Sequence, residues 1–264
     1  MAQATAQPEI RAYWQPGCTS CLRMKEFLTR HGVPFVSVNV LEDKSAFEEL
    51  AKLGVRSVPI VQRGKEWANG QVLRDVARVA GIAFGGTRML PPEEMMARLN
   101  IIQSAAQRFF AQIPEDKIAI QLPNRPRSYA QLVYHIFNIA DAFLEHEVQD
   151  IPLVEGAYNR VPPPAMDTKA KILAYGVDVQ KRLDAWWAEH GAKTDFKARA
   201  KVYYGDQTLH DFLERTTWHS GQHVRQLMMV LGMLGLKPDS PVGPDTWKDL
   251  PMPEKVWDDE KFAA

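Results

Sequence analysis

The hydrophobic pattern of this 264-residue chain changes character once, and that change most constrains the fold. From Ile10 to about Gly81, short apolar or β-branched runs alternate with helix-like segments. After Pro92, apolar residues recur at spacings of three and four along four long segments. Alternating strands and helices predict an α/β domain, and four long amphipathic segments predict a four-helix bundle. We therefore expect two domains of different structural class.

Glycine and proline residues mark the boundary between the two patterns. Gly85-Gly86 suits a flexible connection, and Pro91-Pro92 suits the first turn of a helix. We expect a Pro- and Trp-containing tail to form an extended arm packed by its tryptophans. The predicted limits are 1–84 for the α/β domain, 85–92 for a linker, 93–234 for the bundle and 235–264 for the C-terminal arm.

Composition limits the partners and the cellular location expected for this protein. Lys plus Arg and Asp plus Glu both number 32, which gives no electrostatic basis for binding nucleic acid or an anionic membrane. No apolar run is long enough to span a membrane, and the first ten residues lack the basic and apolar parts of a secretion signal. The two cysteines are too few for a secreted disulfide scaffold. We expect a cytoplasmic protein.

Cys18 and Cys21 form a dithiol at the start of the first predicted helix. Unpaired N–H groups and the helix dipole at such a position lower the pKa of a thiol. Cys18 is therefore the expected nucleophile, and Cys21, one turn further on, is placed to resolve a mixed disulfide. Half of a zinc site is the alternative for such a pair, but the chain has no second cysteine pair to complete it.

Three segments in order, Tyr13–Cys21, Ser57–Pro59 and Asn69-Gly70, resemble glutaredoxin over roughly the first 80 residues. The resemblance implies a thioredoxin-like fold, catalytic roles for the two cysteines, and glutathione as the bound thiol. A cis-proline at the start of a strand would turn a free backbone edge toward the dithiol. The alternative is a docking module that has lost this chemistry. The residues implied in glutathione binding are Val58, Pro59, Asn69 and Gly70.

His219 and His223 lie one helical turn apart on the apolar face of the last long predicted helix. His135 points inward from an earlier helix by the same spacing argument. Three inward imidazoles are typical of a reactive divalent metal site, with zinc expected first and nickel or iron(II) as alternatives. Hydrogen-bonded core histidines are the other interpretation. Gln222 and Arg225 are candidates for contacts to the ligands or the substrate.

Tyr134-His135 and the segment His219–Gln226 resemble the DinB/YfiT superfamily over about residues 91–234. The resemblance implies a divalent metal on His135, His219 and His223. Members of that superfamily include transferases and isomerases that use a low-molecular-weight thiol, and the bundle is often dimeric, but the resemblance does not identify a substrate.

Together these features predict an enzyme that joins metal-dependent and thiol chemistry. We expect glutathione S-transfer, dethiolation or glutathione-dependent isomerisation, with glutathione or another low-molecular-weight thiol and a small-molecule electrophile as partners. One alternative is a glutaredoxin-type thiol–disulfide oxidoreductase with a non-catalytic, metal-binding dimerisation module. A redox or metal sensor is the other.

Overall fold

A computed structural model describes residues 8–86 and 88–258. These residues fall into two compact units. We call them the N-terminal unit, which comprises the described residues up to 86 and those from 253, and the bundle unit, residues 88–252. Parts of the predicted first domain (1–7), linker (87) and arm (259–264) lie outside the described residues, and the finer domain limits stay a prediction.

The N-terminal unit contains a four-stranded mixed sheet with the strand order β2-β1-β3-β4. Strand β1 pairs in parallel with β2 and antiparallel with β3, and β3 pairs antiparallel with β4. The elements are β1 (Ile10–Trp14), α1 (Thr19–Arg30), β2 (Val36–Asn39), α2 (Ala46–Lys52), β3 (Ile60–Arg63), β4 (Glu66–Asn69) and α3 (Leu73–Ala80).

Both faces of this sheet are covered by apolar residues. Successive residues of a strand point to opposite faces; accordingly Ala12 packs in a cluster with Met24 of α1 and Val76 of α3, while Tyr13 packs in another with Leu50 of α2. A mixed sheet flanked by helices is the thioredoxin-like architecture, and this part of the fold prediction is confirmed.

The bundle unit is built from four long helices within the described residues, as the spacing of apolar residues predicts. Reciprocal capping boxes mark where two of them begin: Ser128 with Gln131 before α5, and Thr208 with Asp211 before α7. The elements are α4 (Pro92–Gln112), α5 (Tyr129–Gln149), α6 (Lys169–His190), β5 (Arg199–Ala200), β6 (Gln207–Thr208), α7 (Leu209–Met233) and α8 (Pro244–Trp247).

The short antiparallel ribbon of β5 and β6 departs from the sequence expectation, which places no strand after Pro92. Each of its strands has two residues, which is too short for an alternating pattern to be recognised. The ribbon leads directly into the cap of α7 at Thr208. It therefore helps to fix where the histidine-bearing helix begins.

Helix α7 buries an unusual number of polar side chains. Polar residues of these types are mostly exposed unless they are paired or functional. The buried polar residues of α7 are Glu214, Arg215, Thr216, Thr217, His219, Ser220, Gln222, His223 and Gln226.

None of the helices within the described residues combines the length and apolarity needed to cross a membrane.

Candidate metal centre and dithiol site

The structure brings His135 of α5 together with His219 and His223 of α7. One ring nitrogen from each histidine lies within 4.8 Å of the others. The three side chains are buried, with relative exposures of 4%, 7% and 2%. The three predicted histidines therefore form a cluster in space. Within the described residues, this is the one group of three or more His, Cys, Asp or Glu side chains whose donor atoms lie close enough to hold a metal ion.

A hydrogen bond sets the orientation of one imidazole. Nδ1 of His223 lies 2.7 Å from Oε1 of Gln226. Because an amide oxygen only accepts, Nδ1 of His223 carries the proton and Nε2 offers its lone pair. That Nε2 lies 3.1 Å from Nε2 of His219, close to the separation of about 3.4 Å expected for two nitrogens on one tetrahedral zinc ion.

The electrostatic surroundings keep the imidazoles neutral. Burial lowers the pKa of His223 to about 3, and the positive charge of Arg127 acts in the same direction. Burial likewise holds the pKa of His135 and of His219 well below the usual value. Neutral imidazole is the form that coordinates metal ions.

The cluster fits a divalent metal better than it fits a packed core. Nδ1 of His135 and Nδ1 of His219 are buried and have no hydrogen-bond partner among the described residues. Buried polar atoms in a core are nearly always satisfied. These unsatisfied atoms argue against ordinary core histidines, and a set of three nitrogen donors suits zinc, nickel or iron(II).

Sequence reasoning does not identify the residue that orients His223. Arg225 donates to Oε1 of Gln222 over 2.7 Å, so the two candidates from the sequence contact each other, and their contact to a substrate stays a prediction. The hydrogen-bond partner of His223 is Gln226. Its position three residues after His223 on a helix is the signal that could have identified it.

The dithiol lies at the start of α1, as the sequence predicts. Cys18 is the N-cap residue, and its Sγ accepts a hydrogen bond from the backbone N–H of Cys21 over 3.2 Å. The two cysteines form a disulfide. Cys18 is half-buried and Cys21 is fully buried. Cys18 is therefore the more accessible sulfur of the pair.

Strand register brings the other predicted glutathione residues to the same end of the sheet as the dithiol. Tyr13, near the end of β1, pairs with Ile60 at the start of β3, and Ile60 pairs with Asn69 at the end of β4. The loop to Cys18 follows β1, and Val58-Pro59, joined by a cis peptide bond, precedes β3.

Gly70 packs tightly against Pro59. Its backbone N–H donates to the carbonyl of Pro59 over 2.9 Å. A Cβ atom at Gly70 would lie 2.3 Å from the sulfur of Met24 and 2.8 Å from Cβ of Pro59. Any side chain at position 70 would therefore force Met24 and Pro59 to move.

The segment 253–258 contacts α1 and the loop before it; the sequence predicts an arm packed by its tryptophans but not where they pack. The indole of Trp257 lies where a side chain at Gly17 would be. Nζ of Lys25 forms a buried ion pair with Asp258 at 2.8 Å and lies 3.6 Å from the centre of a Trp14 ring. This part of the predicted arm therefore packs beside the dithiol.

Two different family models match the two parts of the chain. Residues 10–67 match the glutaredoxin family model, and residues 98–227 match that of the DinB superfamily. A curated relative, the Gene 56 protein of Mycobacterium phage L5, is 38% identical over 53 residues, which are 20% of this chain and 52% of the relative. The chain thus matches about half the length of this relative.

A solved structure, the beta-etherase LigF from Sphingobium sp. strain SYK-6, aligns with 80% of this chain and 82% of its own at 15% identity and a TM-score of 0.29. The two family matches agree with the fold and with the motifs around Cys18 and His219. The chain therefore joins a region similar to glutaredoxin to a region similar to the DinB superfamily, which supports thiol-related and metal-binding function in general terms.

Proposed function

We propose that this protein is an enzyme of metal-dependent thiol chemistry, with His135, His219 and His223 as the metal ligands. The buried cluster of three neutral imidazoles carries this proposal. Three protein ligands leave one coordination position open, as in reactive metal sites. A divalent ion bound there would hold a thiol as thiolate at neutral pH.

The residues of the bundle have distinct tasks in this proposal. The histidines supply neutral, buried donors, and Gln226 holds the ring of His223 in one orientation. In S-transfer, the sulfur of the thiol forms a bond to the electrophilic atom, and the leaving group departs with the bonding pair and takes up the proton that the thiol gives up. Glutathione or a similar small thiol is the proposed nucleophile.

The dithiol has a separate task in the N-terminal unit. The Cys18 thiolate would attack a mixed disulfide and release one thiol. Cys21 would then attack Cys18 and release the second thiol, leaving the Cys18–Cys21 disulfide. Two molecules of glutathione would reduce that disulfide and become glutathione disulfide. The position of Cys18 at the start of α1 supports this role.

A glutaredoxin-type oxidoreductase with a non-catalytic bundle is the second candidate. The common location of Cys18, Pro59 and Gly70 at one end of the sheet favours it. Under this alternative the metal supports only folding or dimerisation of the bundle. For both candidates we propose a cytoplasmic location and a homodimer formed through the bundle.

Two assays on the full chain separate the candidates: glutathione transfer to a panel of electrophiles and reduction of a glutathione mixed disulfide. Cys18→Ser should abolish reduction and leave transfer partly intact. His219→Ala should abolish transfer and spare reduction, whereas His190→Ala, an exposed histidine of α6, should change neither. Transfer that persists in His219→Ala, or no transfer by zinc-loaded wild type, would contradict the proposal.

A further inference from the structure

Arg215 lies one helical turn before His219 on the same face of α7. Its side chain is buried, with 5% exposure. The guanidinium lies 4.7 Å from the ring centre of Tyr158 and 4.7 Å from that of Tyr204. The ring of Tyr158 is in turn 5.6 Å from that of His219. Arg215 therefore borders the histidine cluster through one shared aromatic neighbour.

Two of the donor atoms of this guanidinium are not used by the protein. Nε and Nη1 of Arg215 are buried and have no hydrogen-bond partner in the part of the chain that the structure describes, and the buried hydroxyl of Tyr204 is in the same condition. Within that part, no carboxylate forms an ion pair with Arg215. A buried cation without a counter-charge is costly, and Arg is suited to bidentate binding of oxyanions.

A second arginine makes the region more positive. Burial is the main cause that lowers the pKa of each histidine. The next largest cause is the positive charge of Arg127 for His135 and His223, and the positive charge of Arg215 for His219. The leading influences on the three imidazoles include no carboxylate. A bound divalent ion would add to this positive charge, so the site lacks an anion.

We propose that the substrate of the bundle carries an oxyanion group, a carboxylate or a phosphate, that binds Arg215 and the hydroxyl of Tyr204. Arg127 strengthens the attraction by its charge. This inference rests on the proposed function and deepens it, because it assigns a substrate class to the three-histidine site. The guanidinium would fix the orientation of the substrate relative to the histidines.

The test uses the metal-free full chain, so that binding is measured without turnover. Succinate and inorganic phosphate are titrated separately by calorimetry, with succinamide as the neutral match for succinate. We expect saturable binding of at least one anion and none of succinamide; the tighter anion identifies the class. Arg215→Met and Arg127→Gln should each weaken binding, by at least about tenfold for Arg215→Met. The exposed Arg199→Gln should not.

A spectroscopic measurement covers the case in which Arg215→Met does not fold. The Nε–H resonance of Arg215, assigned with Arg215→Lys, should shift during the wild-type titration with the same anion. An unmoved resonance, or affinity unchanged in both arginine variants, would overturn the inference. Metal content is measured on the same preparation: protein that takes up metal but binds neither anion loses this inference and keeps the proposed function.

Discussion

Nδ1 of His223 donates a hydrogen bond to Oε1 of Gln226 over 2.7 Å, within a single turn of α7. The bond fixes the ring so that Nε2 faces Nε2 of His219 at 3.1 Å. Partners of this kind orient metal-bound histidines and raise their basicity. In the proposed metal site, Gln226 is therefore a positioning residue rather than a ligand.

Replacing Gln226 should weaken the metal site without removing it. We expect Gln226→Ala to lower zinc affinity by about 10–100-fold, the usual effect of losing such a partner. A competition titration against a zinc-binding dye measures this. Gln180→Ala is the matched control, because Gln180 bonds Ser104 and Gln107 on α4 instead. Equal affinity in Gln226→Ala and wild type would show that the hydrogen bond is not used.

Metal binding should stabilise the folded bundle. A ligand that binds only the folded state adds about 2.7 kcal/mol at a free concentration about 100 times its Kd. For a unit of this size, that corresponds to an increase in Tm of roughly 5–10 °C. Differential scanning calorimetry with zinc and with a chelator measures the shift. The alanine variant of His135, His219 and His223 should show no shift, and an equal shift there would place the metal elsewhere.

Two helical glycines should respond to alanine in opposite directions. A Cβ at Gly176 of α6 would lie 2.5 Å from the ring of Phe137, which is fully buried. We expect Gly176→Ala to lower the free energy of unfolding by about 1–3 kcal/mol. A Cβ at Gly232 of α7 meets nothing within 4 Å, so Gly232→Ala should raise it by about 0.5–1 kcal/mol. Urea unfolding tests both, and the same sign for both would contradict this packing.

The ion pair of Lys25 and Asp258 should stabilise the N-terminal unit. Both side chains are 8% exposed, and removing one partner of a buried pair costs about 3–5 kcal/mol. Asp258→Asn should therefore increase hydrogen exchange in peptides from α1. Glu254→Gln is the control, because its ion pair with Arg30 is largely exposed and contributes about 0–1 kcal/mol. Unchanged exchange in Asp258→Asn would show that the segment 253–258 does not stabilise α1.

Local spacing explains what could be predicted from the sequence. The four long helices and the inward direction of His219 and His223 follow from the helical period, and the start of α1 at Cys18 follows from the strand and turn before it. These features depend on residues close together in the chain. Sequence reasoning suggests Gln222 and Arg225 as candidates near the histidines but does not identify Gln226, which is the hydrogen-bond partner of His223.

The remaining features depend on contacts between distant residues. Lys25 meets Asp258 across 233 positions, and no local pattern encodes such a pair. Tyr158 borders the histidines from a short helical turn between α5 and α6. Such contacts are fixed by tertiary packing, and the spacing of residues along the chain does not predict them.

Metal content tests the central claim most directly. Wild type and the alanine variant of His135, His219 and His223 would be purified without chelator, exposed to zinc or nickel, desalted and analysed by elemental mass spectrometry. The account predicts about one equivalent of metal in wild type, as expected for a three-histidine site, and none in the variant. No retained metal in wild type, or equal metal in both proteins, would contradict it.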